Sequence, residues 1–189
     1  MPRSRHGFES RRPLHSLTWS FLIFMLVYLC GPIEFAPDGG KLWRRKLTPF
    51  LHNDLGHRVY DPAEDKKKNL TDEEVGHFRE WKDTDVERFR RVVRKIIQYD
   101  IDIVENKADY LICCLNGDGA AASSGGTSSE LTFAHRRGIP VYLVTDAPIL
   151  EISGWMLACA DRVFPNVDEL KKFLLERYGK EEQAPLWRV

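Results

Sequence analysis

The chain predicts an α/β fold built on a parallel sheet of five strands. Three observations carry this. Strand-length apolar runs alternate with helix-length amphipathic segments along most of the 189 residues, the pattern of repeated βαβ units. The apolar run from Trp19 to Cys30 passes directly into Gly31-Pro32, as a fully buried strand does when it ends in a turn. Helix-start signals such as Thr71-Asp72-Glu73-Glu74 punctuate the segments between the runs, and no internal repeat is present.

Taken in order, residues 1–18 read as a disordered basic extension, with Arg3, Arg5, Arg11 and Arg12 set against Glu9. The apolar run behind them superficially resembles a signal peptide. It is too short to span a bilayer and no small-residue cleavage site follows, so Phe21 to Leu29 is read as the first strand, with Met25 an alternative start just ahead of it. Lys41 to Leu51 is helical and is expected to end or kink at Pro49. His57 to Tyr60 forms the second strand. Residues 63–69 form a charged loop, in which Lys66-Lys67-Lys68 reads as a solvated turn. Thr71 caps a short helix, and Asp83 or Thr84 opens a long one. The third strand is Asp109 to Leu115, followed by a helix at Leu131 to Arg137. Pro140 to Thr145 is the fourth strand, Arg162 to Phe164 the fifth, and Val167 to Tyr178 the last helix. One domain spanning residues 19–180 and a tail at 181–189 complete the organisation.

Lysine plus arginine number 28, as do aspartate plus glutamate, so no overall field recruits nucleic acid or an acidic membrane, and a small-molecule ligand fits better. Cys30, Cys113, Cys114 and Cys159 lie in or beside apolar runs without the spacing of a metal site; they read as reduced core residues of a cytoplasmic protein. The six histidines show no ligand spacing either, so neither a metal nor a cofactor is expected.

The most informative stretch is Ser124-Gly125-Gly126-Thr127-Ser128-Ser129-Glu130, between the third strand and the helix after it. Paired glycines let backbone approach a ligand, a helix start offers unpaired N–H groups to an anion, and Glu130 adds a carboxylate. The same residues also read as a capping box, Thr127 and Glu130 satisfying helix donors. In a sheet of this kind ligands bind beyond the carboxyl ends of the strands where strand order reverses, which directs attention to Tyr28 through Pro32 as well. The long helix carries a stripe of Val86, Phe89, Val93, Ile96, Ile97 and Val104 on which Asp100 falls, so an acid faces inward, either bonded to a neighbouring loop or part of a site. Asp102 points away from that stripe. Trp155 reads as a core aromatic or as a platform on which a base stacks.

Val27-Tyr28-Leu29-Cys30-Gly31-Pro32, the inward aspartate ahead of Ala108-Asp109, Gly126-Thr127-x-x-Glu130, Ala134 and Gly138-Ile139-Pro140-Val141 together resemble the nucleoside 2-deoxyribosyltransferase superfamily, over roughly residues 25–178. The resemblance implies a flavodoxin-like three-layer sandwich, usually homodimeric or larger. It also implies an enzyme that exchanges bases on deoxynucleosides or hydrolyses nucleoside 5'-monophosphates. Its catalytic glutamate matches Glu130. A carboxylate beneath the sugar traps or stabilises an oxocarbenium-like anomeric carbon, Tyr28 would hold that carboxylate by a hydrogen bond, and Asp100 would protonate the departing base. The Asp100 to Asp109 spacing is one residue longer than in the family, which keeps Asp102 as a secondary candidate.

Gly31, Pro32, Ser124, Gly125, Gly126 and Thr127 would line the substrate. Transferases of the family carry an aspartate six residues before the glutamate; Ser124 stands there instead, as in the monophosphate hydrolases, and with Ser123 and the N–H groups of 125–127 would form an anion nest. The hydrolases' phosphate-binding arginine after the first strand has no counterpart, Glu34 occupying that neighbourhood, and Arg162 would supply a site residue across a subunit interface. A fainter similarity links Gly125-Gly126-Thr127-x-x-Glu130 to the cytokinin-activating phosphoribohydrolases. The different-class alternative is a non-catalytic nucleotide sensor.

Overall fold

The structure, a computed structural model, describes residues 25–34, 36–65, 67–115 and 125–179. Strands β1 (Leu26–Cys30), β2 (Arg58–Tyr60), β3 (Tyr110–Cys114), β4 (Val141–Val144) and β5 (Arg162–Phe164) pair in parallel in the order β2-β1-β3-β4-β5. This is the flavodoxin-like order, and it reverses between β1 and β3: the chain leaves β1 for one side of the sheet and returns to its other side.

Strand side chains alternate between faces, and each face is covered by helices. Val27, Leu29, Tyr110, Ile112, Tyr142 and Val144 point to the side covered by α1 (Lys41–Asn53) and α7 (Val167–Tyr178), which contribute Leu47, Leu51, Leu170 and Leu174. Tyr28, Cys30, Leu111, Cys113 and Leu143 point to the side of α4 (Val86–Asn106), α5 (Gly125–Arg137) and α6 (Gly154–Cys159), which contribute Ile103, Val104, Leu131, Ala134 and Met156. Two aspartates pin strand starts: Asp109 Oδ2 accepts from Leu26 N at 2.6 Å, and Asp161 Oδ2 accepts from Val141 N at 2.8 Å. No helix among the described residues is long and apolar enough to cross a membrane.

Several boundaries differ from the sequence reading. β1 begins at Leu26 and extends to Cys30; residues 1–24, including the expected extension, lie outside the described residues, as does the tail at 181–189. Helix α1 runs through Pro49 to Asn53, because Leu47 and Leu51 on its inner face are fully buried and their packing outweighs the one hydrogen bond a proline removes. The long helix starts later than expected: Trp81–Thr84 is a separate short helix, α3, and Asp85 is the cap of α4, accepting from Arg88 N at 3.0 Å. The buried stripe of α4 also shifts, to Val92, Asp100, Ile103 and Val104, while Val86 and Ile97 are exposed. The first half of α4 rests on the small helices, with Arg88 over the Trp81 ring and Phe89 stacked on Phe78, and only its second half covers the sheet.

The short helix α2 (Asp72–His77) carries the expected cap as a full capping box. Thr71 Oγ1 accepts from Glu74 N, and Glu74 Oε2 accepts from Thr71 N; the other Glu74 oxygen meets Lys95 Nζ of α4 at 2.6 Å. Thr71→Ala is expected to cost about 1 kcal/mol, read as a thermal midpoint lower by about 2–4 °C in a chain of this size.

Candidate active site

At the switch point between β1 and β3, residues from four elements converge. Tyr28 and Cys30 are two apart on β1 and therefore share the face toward α5. Glu130, on the second turn of α5, receives both: Tyr28 Oη donates to Oε1 at 2.7 Å and Cys30 Sγ donates to Oε2 at 2.9 Å. The register pairs Tyr28 with Tyr60 at the end of β2, their rings 5.2 Å apart, and Tyr60 Oη donates to Asp100 Oδ1 at 2.9 Å. Asp100 is 7% exposed. Two carboxyl groups are thus bridged by two tyrosines in ring contact, their planes tilted by 33°.

Electrostatics follow from burial. Desolvation pushes the Glu130 carboxyl above the ordinary glutamate range, opposed by the hydrogen bonds from Cys30 and Tyr28, and the nearby Asp100 charge adds to the rise. Burial raises Asp100 as well, opposed chiefly by Lys68 and by the Tyr60 hydrogen bond. Tyr28 and Cys30 are both pushed up, desolvation first, so each keeps its proton and acts as a donor to the carboxylate.

The β1–α1 connection is held by a buried cation. Arg44, fully buried, donates from Nη1 to Gly40 O at 2.6 Å and from Nη2 to Leu29 O and Gly31 O at 3.3 and 3.1 Å, while its Nε lies 3.3 Å from Asp61 Oδ1. Gly31 and Gly40 adopt φ of 146° and 70°, and a Cβ at Gly40 would land on both Pro32 O and the Arg44 guanidinium.

Among the expected site residues, the structure brings Glu130, Tyr28 and Asp100 into one cluster, with Gly31 and Pro32 at the end of β1 beside it. Thr127 is buried and its carbonyl faces Cys30 Sγ at 3.9 Å, while Gly125 and Gly126 are exposed at the start of α5. Ser123 and Ser124 lie outside the described residues. The capping-box reading of Thr127 and Glu130 does not hold, since α5 already begins at Gly125 and both carboxylate oxygens of Glu130 are taken by β1 side chains.

Four residues stand apart. Asp102 faces solvent and pairs with Lys107 at 2.7 Å and with Asn106 at 2.9 Å, contacts that lower its pKa, opposite to what a proton donor needs. Trp155 is not core: it is 64% exposed, and its Nε1 donates to Thr132, two residues from Glu130 and so on the other side of α5. Arg162 lies on the edge strand β5, its guanidinium over the Phe173 ring at 4.6 Å. Glu34 pairs with Lys82 at 2.7 Å.

Sequence reasoning missed Cys30, Tyr60 and Lys68. The first two were findable: Cys30 follows Tyr28 at strand spacing, and Tyr60 ends a strand neighbouring β1. Lys68 lies in a run whose sequence suggests a solvated turn. In the structure it is 8% exposed, with Nζ 2.6 Å from Asp100 Oδ2 and 2.9 Å from Oδ1, and the backbone at Lys68 and Asn69 is left-handed, with φ of 32° and 62°. Nothing in a run of lysines announces that turn.

No protein-family model matches the chain, and no curated protein matches it in sequence. Among solved structures it is similar to a 2-deoxyribosyltransferase from Bacillus psychrosaccharolyticus, with a TM-score of 0.52 and 16% identity over 82% of this chain and 96% of that one. It is also similar to a 2-deoxyribosyltransferase from Leishmania mexicana, with a TM-score of 0.51 and 17% identity over 82% of this chain and 99% of that one. The fold is therefore shared with those two enzymes.

Proposed function

We propose that the chain is a member of the nucleoside 2-deoxyribosyltransferase superfamily that breaks the N-glycosidic bond of a nucleoside or nucleoside 5'-monophosphate. One observation carries this reading: a half-buried carboxylate at the switch point, both of whose oxygens are oriented by protonated donors, with a second inward acid one tyrosine pair away. A buried carboxylate of that kind is costly as structure and suited to chemistry.

In the reaction, Glu130 approaches the anomeric carbon as the bond to the base lengthens, and the new ester bond forms as the base leaves with the bonding electron pair. Tyr28 and Cys30 fix the carboxylate so that a free lone pair faces the sugar. Asp100 gives the departing base its proton. Water, or a second base in an exchange, then attacks the anomeric carbon of the glycosyl ester and gives its proton to the Asp100 carboxylate, so that Glu130 leaves as the carboxylate and both acids are regenerated.

Hydrolysis of a monophosphate is the favoured branch, because Ser124 replaces the aspartate that would repel a phosphate. Base exchange is close behind, since the two similar structures described above are of enzymes named as transferases. A homo-oligomer belongs to the same reading, and sedimentation velocity measures it.

The test is a panel of nucleosides and 5'-monophosphates, with and without a second free base, followed by chromatography, with Glu130→Ala as control. Free base from a monophosphate that the variant does not release is the expected result; a new nucleoside formed only with the added base makes it a transferase. No product from any compound, with binding intact, sinks the enzyme reading and leaves a nucleotide sensor.

A further inference from the structure

Of the two described lysines of its run, Lys68 is the one drawn into the protein. Lys67 is 83% exposed on its side chain, whereas Lys68 is 8% exposed and both oxygens of Asp100 lie within hydrogen-bond reach of its ammonium. Two successive non-glycine residues, Lys68 and Asn69, hold left-handed backbone to achieve this. Such conformations are disfavoured for residues with a Cβ and persist where the surroundings enforce them. The loop is held on its own side by Asp65 Oδ1, which accepts from the N–H groups of Lys67 and Lys68. A solvated turn has no need of this strain or of this burial.

We infer that Lys68 is a positioning residue that acts through Asp100, fixing both carboxylate oxygens and governing when Asp100 holds the proton a departing base receives. The inference rests on the proposed glycosidic chemistry for its role in catalysis, while the coupling of the two side chains stands on their geometry. Asp100 is faced by Tyr60 from β2, by Lys68 and Asp65 from the loop after it, and by Tyr28 from β1; Glu130 from α5 and Tyr99 from its own helix complete the charged and titratable surroundings. Lys68 is the cation among these that lowers Asp100, against burial and Asp65, which raise it. It also lowers Glu130, though less than the hydrogen bonds from Cys30 and Tyr28 do.

Removing the cation therefore has a directional signature. If Asp100 must be protonated to serve the leaving base, kcat/KM falls as pH rises through its titration. In Lys68→Met that descending limb moves to higher pH by about one unit or more, the effect of losing an opposite charge at contact distance. The ascending limb, set by ionisation of Glu130, moves in the same direction by less. A lysine that only props up the loop would lower the rate and leave the limbs in place.

The experiment pairs two readouts on the full chain. The first is the pH profile of base release for the wild type, Lys68→Met, Lys68→Gln and Lys68→Arg. The second is the titration of the Asp100 carboxyl carbon by 13C NMR, assigned by its absence in Asp100→Asn. Lys68→Gln keeps a hydrogen-bond donor without the charge and serves if the methionine variant does not fold. The expected result is an upward move of both the limb and the titration in the methionine and glutamine variants, restored in the arginine one. An Asp100 titration that does not respond to loss of Lys68 overturns the inference, and so does a titration that moves while the limb stays fixed. Absence of turnover in the wild type defeats the glycosidic reading instead, and the titration alone then decides whether Lys68 governs Asp100.

Discussion

Glu130→Gln is expected to lower the rate of base release on the order of 10^3-fold or more while leaving the fold intact. The glutamine keeps the size and one acceptor of the original, so Tyr28 can still donate to it, but its amide oxygen cannot form the glycosyl ester. On the proposed chemistry its KM should change little, because the side chain would act on the transition state rather than in binding of the ground state. The same substitution carries a stability prediction of opposite sign. Burial raises the Glu130 carboxyl in the folded protein above its value in the unfolded chain, so its ionisation opposes folding once the pH rises through the folded value, and that penalty is absent below the unfolded value. Glu130→Gln should accordingly melt above the wild type near neutral pH, by about 2–4 °C for each kcal/mol relieved, with the gap closing in acid. Kinetics and calorimetry on the same samples check both halves; a variant as active as the wild type would remove Glu130 from the chemistry.

Arg44→Met is the largest expected effect on stability, a loss of about 3–5 kcal/mol. The guanidinium spans the carbonyls of Leu29, Gly31 and Gly40 and faces Asp61, so its removal leaves three acceptors and a half-buried carboxylate without their cation. Methionine fills much of the stem's volume and cannot donate. Thermal unfolding should begin about 10 °C lower. The deficit should narrow as the pH falls, because burial already raises Asp61 and protonation relieves the charge that Arg44 no longer meets. Arg44→Lys should fall between the two, since an ammonium supplies charge but not a planar fork. A methionine variant that melts with the wild type would refute the role assigned to this arginine.

How much of this was legible in the sequence depended on which physical rule set each residue. Strands read well because their apolar runs are continuous: β5 and α7 fall at Arg162–Phe164 and Val167–Tyr178 as expected, and the other strands differ by a residue or two at their ends over the described span, whereas α5 begins at Gly125, six residues before the expected Leu131. Asp100 was legible as an inward acid from helical spacing alone. Pro49 misled because local propensity yielded to the packing of Leu47 and Leu51, and Trp155 because an aromatic on a short helix need not face the core. Lys68 and Arg44 were beyond reach, as their burial depends on backbone turns and on partners from distant elements. The contribution of Ser124 lies outside the described residues and remains a proposal from sequence.

The order of the strands has a consequence for how the chain acquires its structure. The interior strand β1 comes first in the sheet's sequence, yet Leu26 meets Asp109, 83 residues on, and Tyr28 meets Glu130, 102 residues on. A ribosome delivers about 5–20 residues each second, so one edge of β1 waits for seconds before β3 exists to cover it, and every long-range pairing must close a large loop first. The strand made first is therefore the one exposed longest during synthesis, and the two halves of the Tyr28–Glu130 cluster meet only once the helix after β3 has been made.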